Sequence, residues 1–154
     1  MANKDLRDWI GELDAAGQLQ KIFGAGHEEE IGAIVDIHMR KMTNPAVLFD
    51  EIPGYEKGYR VLANILTSVP RINIALGLPI DTPEIELVRY WREYMKESPS
   101  HAPVEVNGGP LLENVSEGDD IDITKIPTPR WHEHDGGYFI GTACMVVMKD
   151  PDTD

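Results

Sequence analysis

A chain of 154 residues with 42% hydrophobic and 27% charged content is long enough for one packed domain, or for one domain and the start of another, and is not disordered throughout. Its 27 acidic residues against 14 basic ones leave a formal net charge of −13, and no cluster of Lys and Arg interrupts the pattern, which argues against nucleic acid as a partner. No apolar run approaches the ~20 residues that span a bilayer, the start MANKDLRDW has no apolar signal core, and the lone Cys144 has no internal disulfide partner. A cytoplasmic, reducing compartment and no membrane are therefore expected.

In chain order, Leu6, Trp9, Ile10, Leu13 and Ala16 recur at helical spacing, with Asn3 as N-cap and Gly17 as the stop. Gln18 to Phe23 alternates as a strand, and Gly24-Ala25-Gly26 ends it. A second helix is predicted from about Glu29 to Lys41, with Ile31, Ile34, Val35, His38 and Met42 on its buried stripe. His38, alone on that apolar face, reads as a hydrogen-bonded core residue. Ala46 to Phe49 and Arg60 to Ile65 read as strands around the turn Pro53-Gly54-Tyr55. Val69, Ile72 and Leu76 mark a short helix. Thr82-Pro83 caps a longer one whose predicted buried face is Leu87, Val88, Trp91, Tyr94 and Met95. This order predicts a mixed sheet with helices on it.

From Glu97 the texture changes, because Pro99, Pro103, Gly108-Gly109-Pro110, Pro127 and Pro129 leave only short apolar pieces. A domain boundary is expected near Asn107. Tyr138 to Met148 then reads as a strand carrying Cys144 as a small buried hydrophobe, and the turn Lys149 to Asp152 leads to no second strand. A sheet left open there predicts either an N-terminal portion of a longer protein or completion by another chain, with the strand's apolar edge as an association surface.

The polar candidates are few. His132 and His134 would share a face in an extended segment, with Asp135 nearby, but no HExxH or CxxC accompanies them, so a hydrogen-bonded loop is the simpler reading. The runs Glu28-Glu29-Glu30 and Glu117-Gly118-Asp119-Asp120 read as solvated faces or helix starts. Gly136-Gly137 precedes a strand where a phosphate loop would precede a helix, and Gly141-Thr142 inside the predicted strand marks a bulge or a close approach of a ligand, with tight packing the simpler reading. No Ser stands in a GxSxG setting and Cys144 has no adjacent base, so covalent hydrolysis has no support.

Several segments, in order, carry a more specific pattern: LRDWIGELDAAGQL (Leu6 to Leu19), EIGAIVD (Glu30 to Asp36), AVLFDEIPGY (Ala46 to Tyr55), VLANIL (Val61 to Leu66), RINIALG (Arg71 to Gly77) and PTPRWHEHDGGYFIGT (Pro127 to Thr142). Together they resemble the N-terminal part of the UbiD-like decarboxylases. That resemblance implies an α/β (α+β) N-terminal domain with a mixed sheet over residues 1–107, followed over 108–154 by the first strands of a split β-barrel flavin-binding domain. It implies an enzyme that decarboxylates, or in reverse carboxylates, an aromatic or α,β-unsaturated acid. The cofactor would be prenylated flavin mononucleotide, held with a divalent metal (manganese or magnesium) and potassium, and the complete enzyme would be a homo-oligomer.

Residue by residue the resemblance transfers little. Thr142 matches the threonine near the flavin, and Gly141 beside it would admit the ring. The chain stops before the Asn-x-x-x-x-Arg segment, so no catalytic or metal residue is carried over, and Glu28, Glu29, Glu30 and Glu133 are given no such role. The chain alone is expected to be inactive. Two other readings compete: a binding module that pairs a partner along 138–148, and a metal-binding regulator built on His132, His134 and Asp135.

Overall fold

The structure, a computed structural model, describes residues 5–98 and 102–141. Helix α1 (Leu6–Ala15) opens on Asp5, whose carboxylate accepts the N–H groups of Arg7 and Asp8 at 2.8 and 3.0 Å while the Asp8 carboxylate reaches back to the Asp5 N–H at 3.5 Å. This capping box satisfies donors that the first turn leaves open. The predicted cap, Asn3, lies outside the described residues. The helix ends as expected at Gly17, which takes φ +67°, with the Gln18 N–H on the Leu13 carbonyl at 2.8 Å and the Gly17 N–H on that of Asp14 at 3.1 Å.

Strand β1 (Leu19–Phe23) runs parallel to β2 (Ala46–Asp50), with Leu19 opposite Ala46, and helix α2 (Glu30–Met39) makes the crossover that a parallel pair requires. β2 is the central strand and pairs antiparallel on its other side with β3 (Val61–Ala63). The result is an α+β fold with a three-stranded mixed sheet. Ala46 to Phe49 are all buried, as a short continuous apolar run in a covered strand should be. Val47 and Phe49 join Ile31, Val35, Ile52 and Ala63 in the core under α2, while Ala46 and Leu48, on the opposite face by the period of two, are buried as well. The third strand is shorter than the predicted Arg60 to Ile65 because Asn64, at φ +58°, turns the chain out of the sheet.

On α2 the buried side chains include Ile31, Val35 and His38, but Met42 lies past the helix end and is fully exposed. His38 is the core residue expected: its Nδ1 lies 2.8 Å from the Ile34 carbonyl, and its Nε2 2.8 Å from Gln20 Oε1 and 3.2 Å from Lys41 Nζ.

Helix α3 (Val69–Ala75) is the short helix expected, and it turns polar residues inward: Arg71 and Asn73 are fully buried, whereas Ile72 and Leu76 are only half-buried. The reason is a polar joint between α3 and the sheet. Arg71 donates from Nε to the Ile65 carbonyl at 2.9 Å, from Nη1 to the Asn44 carbonyl at 2.5 Å and from Nη2 to the Thr67 hydroxyl at 2.7 Å. Asn64 donates to the Asn44 side chain and to the Pro45 carbonyl, and accepts from Thr67. Carbonyls replace the water that a buried guanidinium loses, and burial still holds Arg71 below its ordinary pKa.

Helix α4 (Glu84–Glu97) contradicts its predicted burial. Leu87 is buried, but Val88, Trp91, Tyr94 and Met95 are each about half exposed, with Trp91 at 46% and Met95 at 60%. The periodicity marks a real apolar face, and among the described residues little covers it. Nor does Thr82 cap this helix, since its hydroxyl donates to the Pro79 carbonyl at 2.7 Å and Pro83 stands at the N-cap.

Among the described residues from Ala102 to Gly141 there is no strand, only three-residue 3-10 turns at Pro110–Leu112, Gly118–Asp120 and Ile123–Lys125. Tyr138 to Gly141 therefore does not begin the strand predicted over 138–148. The remainder of that stretch, with Thr142 and Cys144, lies outside the described residues.

Candidate functional site

The segment Pro127 to Gly141 returns to the sheet domain and docks at the start of α2. Arg130 forms an isolated parallel bridge with Glu28: its N–H donates to the His27 carbonyl at 3.0 Å, and its carbonyl accepts the Glu29 N–H at 2.9 Å. Pro127 and Pro129 are buried, and Trp131 packs against the core of Ile31, Val35 and Phe49. Gly32, on the first turn of α2, faces the Trp131 main chain so closely that a Cβ there would overlap the Trp131 carbonyl and lie 2.8 Å from its Cα. A glycine is required at this contact because any side chain would lift the loop away.

Beyond Trp131 the loop closes on itself. The Phe139 N–H donates to the Pro129 carbonyl at 3.1 Å, and the Trp131 indole N–H to the Phe139 carbonyl at 3.4 Å. Asp135 accepts the His132 N–H at 2.9 Å, and its own N–H donates to the His132 carbonyl at 3.1 Å, so the carboxylate shapes a turn. His132 and His134 are exposed, and no group of three or more His, Cys, Asp and Glu side chains suited to a metal occurs among the described residues.

Side chains add a second set of links. The Tyr138 hydroxyl donates to Glu28 Oε1, the Arg130 Nη2 pairs with Glu29 Oε1, and Arg130 Nε lies 3.6 Å from Glu28 Oε2. The His27 ring stacks on Tyr138 at 5.8 Å between centroids and meets Tyr55 edge-on at 5.1 Å. The hydrogen bond to Glu28 raises the Tyr138 pKa, because it favours the neutral phenol, and the Glu28 charge acts in the same sense. The run Glu28-Glu29-Glu30 is thus more than a solvated face. Glu30 starts α2 and accepts the Gly26 N–H at 2.8 Å, while the other two tether the returning loop.

Gly141 is exposed at the end of this loop, three residues beyond Tyr138, and Thr142 follows outside the described residues. Sequence spacing did not bring Glu28 and Tyr138 together, since 110 positions separate them. A different surface lies between α3 and α4, where Leu66, Ile72, Leu76, Val88, Trp91 and Met95 line an apolar groove of about 860 Å³.

The pattern of the 3-octaprenyl-4-hydroxybenzoate carboxy-lyase N-terminal domain matches residues 10–94, and that of the Rift-related domain of the same enzymes matches residues 103–154. The chain is 33% identical to a pyrrole-2-carboxylic acid decarboxylase of Pseudomonas aeruginosa over 96% of its own length and 31% of the relative's. It is 34% identical to a phenolic acid decarboxylase of Escherichia coli O157:H7, covering 98% of this chain and 32% of that one. The vanillic acid decarboxylase of Sedimentibacter hydroxybenzoicus superposes in its open form with a TM-score of 0.75 at 28% identity, over 90% of this chain and 30% of that one. Its closed form gives a TM-score of 0.74 over 29% of that chain.

The chain belongs to the UbiD family of carboxy-lyases, and it spans about a third of the length of the curated relatives it matches. No described helix is long and apolar enough to cross a membrane.

Proposed function

We propose that this chain is the N-terminal portion of a UbiD-like carboxy-lyase that carries out reversible, non-oxidative decarboxylation of an aromatic or α,β-unsaturated carboxylic acid, and that the chain alone is inactive. The observation that carries the reading is the agreement of two family patterns, in order, along nearly the whole chain. Relatives named for phenolic and pyrrole carboxylic acids support the substrate class.

On this reading residues 1–107 are the N-terminal domain, and 108–154 begin the split barrel that binds prenylated flavin mononucleotide. When bound, that flavin supplies the electron sink for loss of carbon dioxide. The part of this chain is to border the cofactor at Gly141 and Thr142. Tyr138 to Gly141 are exposed residues, and a glycine in such a margin carries no side chain to hold off a flat ring. On the family resemblance the divalent metal and potassium are assigned to the rest of the enzyme, as are the catalytic acid and base. We place the enzyme in the cytoplasm on its composition, and take the complete form to be a homo-oligomer.

The test is to supply prenylated flavin to the chain and to the enzyme completed by the remaining two-thirds of the family's length, and to follow carbon dioxide release from phenolic, pyrrole and cinnamic-type acids. The completed enzyme is expected to turn over one of these classes and the chain none. Failure of the completed enzyme to take up flavin would overturn the reading. The exposed apolar face of α4 favours association with further protein, and an unaccompanied chain that binds a partner without any flavin requirement would support a non-enzymatic module instead.

A further inference from the structure

We propose that the segment from Arg130 to Phe139 is a strained latch. Docked on α2, it holds Glu29 in a backbone conformation that a glutamate resists, and it opens as one unit, with the turn at Glu29 relaxing as it leaves.

Glu29, at the N-cap of α2, has φ +62° and ψ −28°. The Glu30 N–H donates to the Glu28 carbonyl at 2.7 Å across it, which closes a γ-turn of the positive-φ kind, the rare and strained one. Asn44 and Asn64 also take positive φ, but asparagine tolerates it, whereas the Cβ of a glutamate crowds its own main chain there. The Glu29 side chain makes no capping bond that would offset the strain. Its carboxylate pairs with Arg130 instead.

Arg130 and Trp131 hold opposite sides of this turn. Before it, the Arg130 N–H donates to the His27 carbonyl at 3.0 Å and the Arg130 carbonyl accepts the Glu29 N–H at 2.9 Å. After it, the Trp131 main chain lies against Gly32 with no room for a Cβ, and the Trp131 ring packs on Ile31, Val35 and Phe49. Ile31 and Phe49 are fully buried, so the core fixes the first turn of α2. Consecutive Cα atoms lie about 3.8 Å apart, so residues 130 and 131 keep both contacts only while the run 27–29 meets α2 at the angle that the strained turn supplies. Strain of this kind persists where surrounding contacts over-determine the backbone, and these two contacts do so.

The rest of the segment moves with them. It closes on itself through Phe139 on the Pro129 carbonyl and the Trp131 indole on the Phe139 carbonyl, and the Tyr138 hydroxyl donates to Glu28 on the same side of the turn as Arg130. Loss of the bridge and of the Trp131 seat releases the strain at Glu29, which favours opening of this segment ahead of the sheet. Strand β2, buried and paired on both sides, has no such release.

The experiment is native-state hydrogen exchange of the 154-residue chain, followed by NMR at the amides of Glu29, Arg130 and β2. In wild type the Glu29 and Arg130 amides are expected to show one common protection factor, at least about tenfold below that of β2. Glu29→Gly and Glu29→Ala both remove the carboxylate, so their difference reads the backbone. Protection of the Arg130 amide should be about tenfold higher in the glycine variant than in the alanine variant, with β2 unchanged. With φ negative the order reverses, because alanine then has less freedom to lose. Equal protection in the two variants, or more in the alanine variant, would overturn the strain. Trp131→Phe, which shrinks the ring but keeps it apolar, should lower protection at Glu29 and Arg130 together by about tenfold. Unchanged protection at the bridge in that variant, or unequal protection of the two amides in wild type, would overturn opening as a unit.

Discussion

Gly32 and Trp131, ninety-nine positions apart by number, are in main-chain contact: the Trp131 carbonyl occupies the space that a Cβ on residue 32 would need. The contact joins the first turn of α2 to the segment that leads to Gly141. It also explains why a glycine is kept inside a helix, where it costs about 1 kcal/mol relative to alanine.

Gly32→Ala is therefore expected to destabilise the chain by about 3 kcal/mol, because overpacking against rigid main chain outweighs the gain in helix propensity. Gly11→Ala, in α1 with open space around its Cα, should stabilise by about 0.5–1 kcal/mol from propensity alone. Urea unfolding of the two variants gives opposite signs if the Trp131 contact is as described, and the same sign if it is not.

Arg71 holds the joint between α3 and the sheet. Arg71→Met fills a similar space but leaves the Ile65 and Asn44 carbonyls and the Thr67 hydroxyl without their donor, a loss of about 3 kcal/mol or more. Arg71→Lys should recover only part of it, since one ammonium cannot reproduce the spread of the guanidinium donors. A Met variant within about 1 kcal/mol of wild type in denaturant melts would remove the joint from the account of stability.

The Tyr138 phenol should titrate above its ordinary value of about 10. Its folded pKa is raised, so the stabilisation it gives is fully present below that ordinary value and is lost as pH rises from there through the higher folded value. A phenolate can no longer donate to Glu28 and is repelled by it. Tyrosinate absorbance, taken as the difference between wild type and Tyr138→Phe, should show the late titration, and Glu28→Ala should bring it back towards ordinary. An unshifted curve in wild type would mean that the hydrogen bond is absent in solution.

On α4, Leu87→Ala is expected to cost about 2–3 kcal/mol, whereas Trp91→Gln should change the stability of the isolated chain by less than about 1 kcal/mol. Comparing the two by thermal melts tests whether the apolar face is open. A large loss in the Trp91 variant would show that α4 is covered in solution.

Much of the fold was legible locally. Gly17 ended α1, the run Ala46 to Phe49 identified the covered strand, and His38 on an apolar stripe was a hydrogen-bonded core residue, because each of these follows from spacing or from a single residue's backbone preference. Asp5 displaced Asn3 as the cap because the reciprocal bonds of a capping box depend on Asp8, three positions on. The face of α4 was misread, and the polar inner face of α3 was not foreseen, for a common reason. Periodicity identifies an apolar stripe, but it does not show which other element arrives to bury it, nor that buried carbonyls will accept a guanidinium.

The amino-acid sequence by itself determined the order of elements, the mixed sheet and, through its ordered segments, membership of a carboxy-lyase family. Those properties reside in local periodicity, turn chemistry and residue order. Only the tertiary structure decided that Arg71 faces inward, that α4 presents its apolar face outward among the described residues, and that Glu28, Glu29, Arg130 and Tyr138 form one tether. Each of these depends on pairs of residues that spacing along the chain does not relate. Packing brings them together through the docking of Trp131 on Gly32.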